Sequence, residues 1–268
     1  MPTTRSLAEQ FDQDGFVVVR GLLSPSEAQQ YRMMLQRQSG LSDIDFNEAK
    51  ARIRGWSMPD GVTKTRDWWP IIFHPRLVAT IRETLGSDAR YTQHSDLHVH
   101  HGSVGWHRDS ANRIFGMGPD WDESRAPYRV ARVAIYLQSY AESGSSFGVI
   151  PGSHRRQSNA TRMELGIHDR LRHAAKHPDW LLPVLTARPF WMRTEPGDCV
   201  IFNQRLLHTG SHIRGPKYAI FLSYSPENEH GLRHRRYYLE DRAELGYKDF
   251  EPELRDRLRD AGLLLKSE

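Results

Sequence analysis

The chain has 268 residues, 38% of them hydrophobic and 26% charged, with a formal net charge of +4. This is the composition of an ordinary globular protein long enough to bury a sizeable core, and so small a charge argues against nucleic acid as a partner. No run reaches the roughly 18–20 apolar residues of a membrane span, the opening residues lack the apolar stretch of a secretion signal, and the single cysteine, Cys199, excludes an intrachain disulfide and suggests a reducing, cytoplasmic setting.

The N-terminal part, residues 1–86, reads mainly as helical cover. "SLAEQFDQDG" predicts a short helix ending at Gly15, and "FVVVR" after it predicts a strand of β-branched residues. In "SPSEAQQYRMMLQRQSG", Ser24 is placed as an N-cap, Pro25 as the first helical residue and Glu27 as the return half of a capping box, with Gly40 as the stop. "HPRLVATIRETLG" predicts another amphipathic helix, ended by Gly86. Between these two, "RGWSMPDGVTKTRDWWP", Arg54 to Pro70, is loop-like and aromatic. Trp68 and Trp69 are expected in the core, and the segment is a candidate second wall of a site.

From about residue 87 to 226 the period becomes that of strands. "ARYTQHSDLHVHH" is extended, with His94, Asp96, His98 and His100 on one polar face. In "YRVARVAIYLQSY", Val133, Ile135 and Leu137 share one face and Arg132, Tyr136 and Gln138 the other. "SSFGVIPGSH" ends in a Pro-Gly turn, "EPGDCVIFN" is a turn and a strand, and "KYAIFLSYS" is a strand. Residues 157–177 are expected to be a helix inserted between strands. Residues 227–268 are expected to form a charged helical tail on the surface. We find no repeat, linker or boundary, so the expectation is one domain, mainly β with flanking helices.

Chemistry concentrates in "HSDLHVHHGSVGWHRDS", which holds His-x-Asp twice, as His94/Asp96 and His107/Asp109. On a strand, residues two apart point to the same side, so either pair can aim an imidazole and a carboxylate at one point. A second histidine from a later strand would complete two histidines and one carboxylate. That donor set leaves coordination positions open and is typical of non-haem Fe(II) oxygenases. "IFNQRLLHTGSH" offers His208, with His212 as competitor. The basic residues Arg214 and Lys217 follow, suited to holding a dicarboxylate.

Together, "FDQDGFVVVRGLLSPSEAQQYR", "WHRDS", "ARVAIYLQSYAESGSSFGVIPGSHR", "EPGDCVIFNQRLLHTGS" and "RGPKYAIFLSY" resemble, in order and spacing, the phytanoyl-CoA dioxygenase-like group of Fe(II)/2-oxoglutarate oxygenases. The resemblance spans about residues 8 to 226. It implies a double-stranded β-helix (jelly roll, cupin-like) core. It also implies His107, Asp109 and His208 as ligands of Fe(II), with 2-oxoglutarate and O2 as cosubstrates. A small-molecule substrate would be oxidised as 2-oxoglutarate is split to succinate and CO2. Relatives that halogenate usually have a small residue in the place of Asp109, so the carboxylate implies hydroxylation or desaturation. The family's arginine for the far carboxylate of 2-oxoglutarate is replaced by Lys217, and Arg214 and Arg132 are alternatives. Gln93 is a further cosubstrate candidate.

The loop "ANRIFGMGPDWDESRAPY" follows the metal pair and is expected to cover the substrate, with Arg113, Phe115 and Trp121 as contacts. His98 is the substrate candidate on the neighbouring strand. A basic, aromatic mouth suggests an anionic or ring-bearing substrate. His154 is expected to brace its own turn, Trp106 to pack, and His212 to be a loop residue. A metabolite-binding jelly roll without turnover is the rival reading; the intact triad argues against it and the lysine mildly for it.

Overall fold

The structure is a computed structural model and describes residues 5–49, 55–102, 105–112, 115–155, 163 and 189–266. Its helices begin and end where the local chemistry requires. Helix α1 (Leu7–Asp14) and helix α2 (Pro25–Ser39) each start with a serine and glutamate capping box and stop at a left-handed glycine, Gly15 or Gly40. Helix α3 (Pro75–Leu85) opens with proline at its first turn. The expected insertion at residues 157–177 lies outside the described residues, apart from Met163.

Among the described residues, ten strands form two antiparallel sheets. The larger contains β1 (Phe16–Val19), β2 (Trp56–Pro59), β3 (Ala89–Tyr91), β4 (Asp96–Val99), β5 (Ala131–Tyr136), β8 (Cys199–Asn203) and β10 (Tyr218–Pro226), in the order β1-β8-β5-β10-β4-β2, with β3 also on β10. The smaller contains β6 (Ser146–Val149), β7 (Phe190–Arg193) and β9 (His208–Gly210), in the order β7-β6-β9. The N-terminal part is therefore more than cover, because β1 and β2 are edge strands of the larger sheet.

Alternation along the strands gives the large sheet two different faces. Val133, Ile135, Ile201, Ile220 and Leu222 point outward and pack under the helices with Leu35, Trp68, Trp69, Leu77 and Ile81. Ala134, Tyr136, Val200, Phe202 and Ala219 point inward and meet Phe147, Val149 and Met192 of the small sheet. This is the jelly-roll arrangement, with the division of β5 into two faces as expected. The inner face turns polar at one end, where it carries Asp96, His98, Arg132 and Ser223.

The C-terminal part differs from a surface tail. Helix α4 (Glu229–Arg236) runs into a wider π-type turn at Tyr237–Asp241, and helix α5 (Pro252–Asp260) follows. His234, Tyr238, Tyr247, Phe250, Leu254 and Leu258 are all buried. Polar residues dominate the composition here, but the apolar and aromatic ones share the inward face.

Candidate active site

His107 lies beyond β4 in a segment with little regular structure, yet its backbone exchanges two hydrogen bonds with His208 of β9, at 2.9 and 3.0 Å. Such a cross-strand pair projects both side chains from the same face, and the two imidazoles lie 4.3 Å apart, centre to centre. Asp109, two residues on, projects to the same side and is fixed by its backbone N–H donating to Gln204 O. Its carboxylate reaches His107 Nε2 at 3.5 Å and His208 Nε2 at 3.6 Å. One ligand atom from each of the three lies within 4.8 Å of the others, and this is the only such group among the described residues.

The histidines are set up as ligands. His107 Nδ1 faces the Gly105 carbonyl at 2.6 Å, and His208 Nδ1 faces the Leu206 carbonyl at 2.9 Å. A carbonyl only accepts, so each Nδ1 carries the proton and each Nε2 presents its lone pair to the centre. Burial, and then the neighbouring His107, lower His208 to a pKa of about 4, which keeps it neutral. Two imidazoles and one carboxylate fit Fe(II), with the remaining positions open.

The other pair, His94/Asp96, has a different task. Asp96 forms a close ion pair with Arg132, and its other oxygen accepts from the Tyr247 hydroxyl at 3.1 Å. His94 is held by His234 at 3.1 Å and stacks on Tyr238 at 3.7 Å. Left-handed backbone at Gln93 (φ 71°) and His100 (φ 54°) interrupts the expected polar face. His100 consequently bonds Ser42 O, away from Asp96 and His98.

Lys217 precedes β10 on its inner-facing register and is buried. An ideal Cβ placed on Gly210 would lie 3.7 Å from its Nζ. Gly210 is two residues beyond His208, so the ammonium stands on the metal-facing side of β9, about 6.6 Å along the strand. Its hydrogen bond is to the His101 carbonyl at 3.2 Å, and no carboxylate among the described residues pairs with it. Burial lowers its pKa to about 8. A buried ammonium without a counter-charge is costly, and an anion in front of it removes that cost.

The sequence pattern of the phytanoyl-CoA dioxygenase family matches residues 11–220. The chain belongs to this family. An ectoine dioxygenase of Nocardia farcinica is 29% identical over 153 residues, 54% of this chain and 49% of the relative, so the chain spans about half the length of that relative. Among solved structures, the non-haem α-ketoglutarate-dependent epimerase SnoN of nogalamycin biosynthesis superposes with a TM-score of 0.56 at 15% identity, covering 82% of each chain. EctD of S. alaskensis, with 2-oxoglutarate and 5-hydroxyectoine bound, gives 0.54 at 20% identity, covering 81% of this chain and 74% of that one.

Other family-inspired candidates lie in varied places. Arg132 is buried beside the metal centre, with Nε 4.0 Å from Asp109 Oδ2 and no hydrogen bond on that nitrogen. Its partner is Asp96, which makes it a brace for Asp109 rather than a free cation. Arg214 is exposed and leans on Gly144. Both amide hydrogens of Gln93 go to Asp60 and to Lys248 O, at 2.8 and 2.6 Å, so they are not offered to a cosubstrate. Arg113 lies outside the described residues. Trp121 is buried, donates to Asn112 O and packs tilted against Phe115 at 4.6 Å, while Arg205 covers its ring at 4.8 Å. The loop is thereby closed on itself, and neither aromatic lines the cavity beside the triad.

That cavity, of about 210 Å³, is lined by His98 and Asp96, and by Tyr238, Arg242 and Tyr247, which the sequence reading did not single out. A signal was present: His230, His234 and Tyr238 recur every fourth residue, one helix face among arginines. Ser57 and Pro59 of the Arg54–Pro70 stretch also line it, while Trp68 and Trp69 pack in the core. Trp106 packs with Ile150 and Leu207. His154 bonds Asp12 O in α1 instead of bracing its own turn, and His212 is exposed.

Proposed function

We propose that this chain is an Fe(II)- and 2-oxoglutarate-dependent dioxygenase that hydroxylates a C–H bond of a small molecule, releasing succinate and CO2. The observation that carries the reading is the Lys217 ammonium, which has no carboxylate partner among the described residues, on the face of β9 that presents His208, beside a triad whose imidazoles aim Nε2 inward. His107, Asp109 and His208 would hold the metal, and Lys217 the far carboxylate of 2-oxoglutarate. Bound there, iron with 2-oxoglutarate and O2 would supply the oxidant. The protein's part is positional: the Gly105 and Leu206 carbonyls fix the imidazoles, Arg132 steadies Asp109, and the inner apolar face keeps water from the reacting centre. The carboxylate at Asp109 supports hydroxylation or desaturation over halogenation, and a solved structure of the same fold is described as an epimerase. We place this single oxygenase domain in the cytoplasm on the strength of its one buried thiol, Cys199. No helix among the described residues is long and apolar enough to cross a membrane.

The test supplies Fe(II), 2-oxoglutarate and ascorbate and measures succinate and CO2 with and without candidate substrates. Succinate formation that rises with one substrate is the expected result. No succinate under any condition, together with no binding of 2-oxoglutarate, would sink the reading in favour of a binding protein.

A further inference from the structure

We propose that the cavity between β4 and the C-terminal segment is the substrate seat, that Asp96, His98, Tyr238 and Tyr247 are its contacts, and that it takes a small, polar, ring-bearing molecule of no net charge. Its reaction rests on the oxygenase reading above; its binding chemistry does not.

Position comes first. Arg132 links the cavity to the triad: it pairs with Asp96 on the cavity wall, and its Nε lies 4.0 Å from Asp109 Oδ2. Tyr238, Arg242 and Tyr247 come from beyond residue 220, where the family match ends. The triad, Asp96 and His98 thus lie in the matched part, and the facing wall of the seat lies beyond it.

Size comes next. At about 210 Å³ the cavity is smaller than the roughly 300–1,000 Å³ of sites for drug-sized ligands. Its walls offer rings: His94 stacked on Tyr238, and His98 tilted against Phe221 at 4.7 Å. A flat or ring-bearing molecule gains most against such walls.

Charge decides the class. The site's own ions balance: Arg132 is paired with Asp96, and Arg242 at the rim with Glu244. A divalent metal and Lys217 would together balance Asp109 and the dianion of 2-oxoglutarate. Burial holds His94 and His98 neutral. A substrate with net charge of either sign would therefore be buried without a counter-ion. Hydrogen bonding is still available. Asp96 has acceptor capacity beyond Arg132 and Tyr247, and the Tyr238 hydroxyl and His98 ring nitrogens have no hydrogen bond among the described residues. Both zwitterions and uncharged polar rings meet these terms.

The test is calorimetric titration of the protein loaded with nickel(II) and 2-oxoglutarate, using three small ring probes. These are L-proline (zwitterion), pyrrolidine (cation) and tetrahydrofuran-2-carboxylate (anion). Proline is expected to bind about tenfold or more tightly than either charged probe. Tyr238→Phe, which keeps the ring, should weaken proline by about fivefold, and Tyr247→Ala by about tenfold, with the nickel and 2-oxoglutarate heats retained. A charged probe binding as tightly as proline, no binding by any probe, or no effect of both substitutions would overturn the proposal. Failure to take up nickel and 2-oxoglutarate counts against the oxygenase reading alone, and proline titrated into the unloaded protein then still decides the cavity.

Discussion

Lysine and arginine hold a dicarboxylate differently, because an ammonium is a point charge and a guanidinium a planar fork. The buried Lys217 therefore carries a pH dependence that an arginine would not. Its folded pKa, about 8, lies below the ordinary 10.5. The charged form is lost as pH rises through about 8, so the affinity for 2-oxoglutarate should fall over that range, as read from KM between pH 7 and 9. Between about 8 and 10.5 the unfolded chain binds more protons at this residue than the folded one does. This residue's share of the stability of the ligand-free protein should therefore rise with pH across the window, as denaturant titration will read. Lys217→Ala should raise the 2-oxoglutarate KM by roughly 10–100-fold, the worth of a charge-assisted contact, and an unchanged KM would move the role to Arg214 or Arg132. His107→Ala should abolish iron binding and His94→Ala should not; the reverse outcome would exchange the two His-x-Asp pairs.

The proposed metal ligands depend on elements that hold each other in register. The bridge between His107 and His208 aligns a loop with β9, and Arg205, three residues before His208, ties the loop that follows Ser110 to the same place. It is buried, donates to Asp120 O and Glu123, and lies over Trp121 and Tyr128 at 4.8 and 4.5 Å. Arg205→Ala should cost about 1–3 kcal/mol, seen as a lower denaturation midpoint, because buried partners lose their donor. Strand β5 behaves as its alternation predicts, with Val133 and Ile135 under the helices. The run from His94 to His100 does not, because positive φ at Gln93 and His100 turns the chain twice, and two-residue periodicity carries no trace of such turns.

Across the whole chain, the two ends close over the same sheet. Leu254, Leu258 and Leu263 join Leu35, Trp69 and Leu77 in the outer core, while Tyr238 and Tyr247 reach the inner cavity. The C-terminal segment is thus structural and site-forming together. Leu258→Ala should destabilise the fold by about 2–5 kcal/mol in chemical denaturation, the range for a fully buried leucine. Ending the chain after residue 228 should remove cooperative unfolding; a truncated chain that still melted cooperatively would show that the sheets stand without this cover.

Local chemistry made much of this legible in advance. The serine and glutamate caps at Ser24 and Glu27, the terminating glycines, the two faces of β5 and the pattern His107-x-Asp109 with a distal His208 all rest on interactions within a few residues, or on an ordered set of segments. Other features depend on partners far apart in sequence. Asp96 repeats the His-x-Asp spacing but meets Arg132 instead of a metal. Gln93 turns toward Asp60, and an arginine-rich tail folds its tyrosines against β4. Spacing states what a residue can do, but burial and charge balance settle what it does, and both are set by neighbours that only the folded chain brings together.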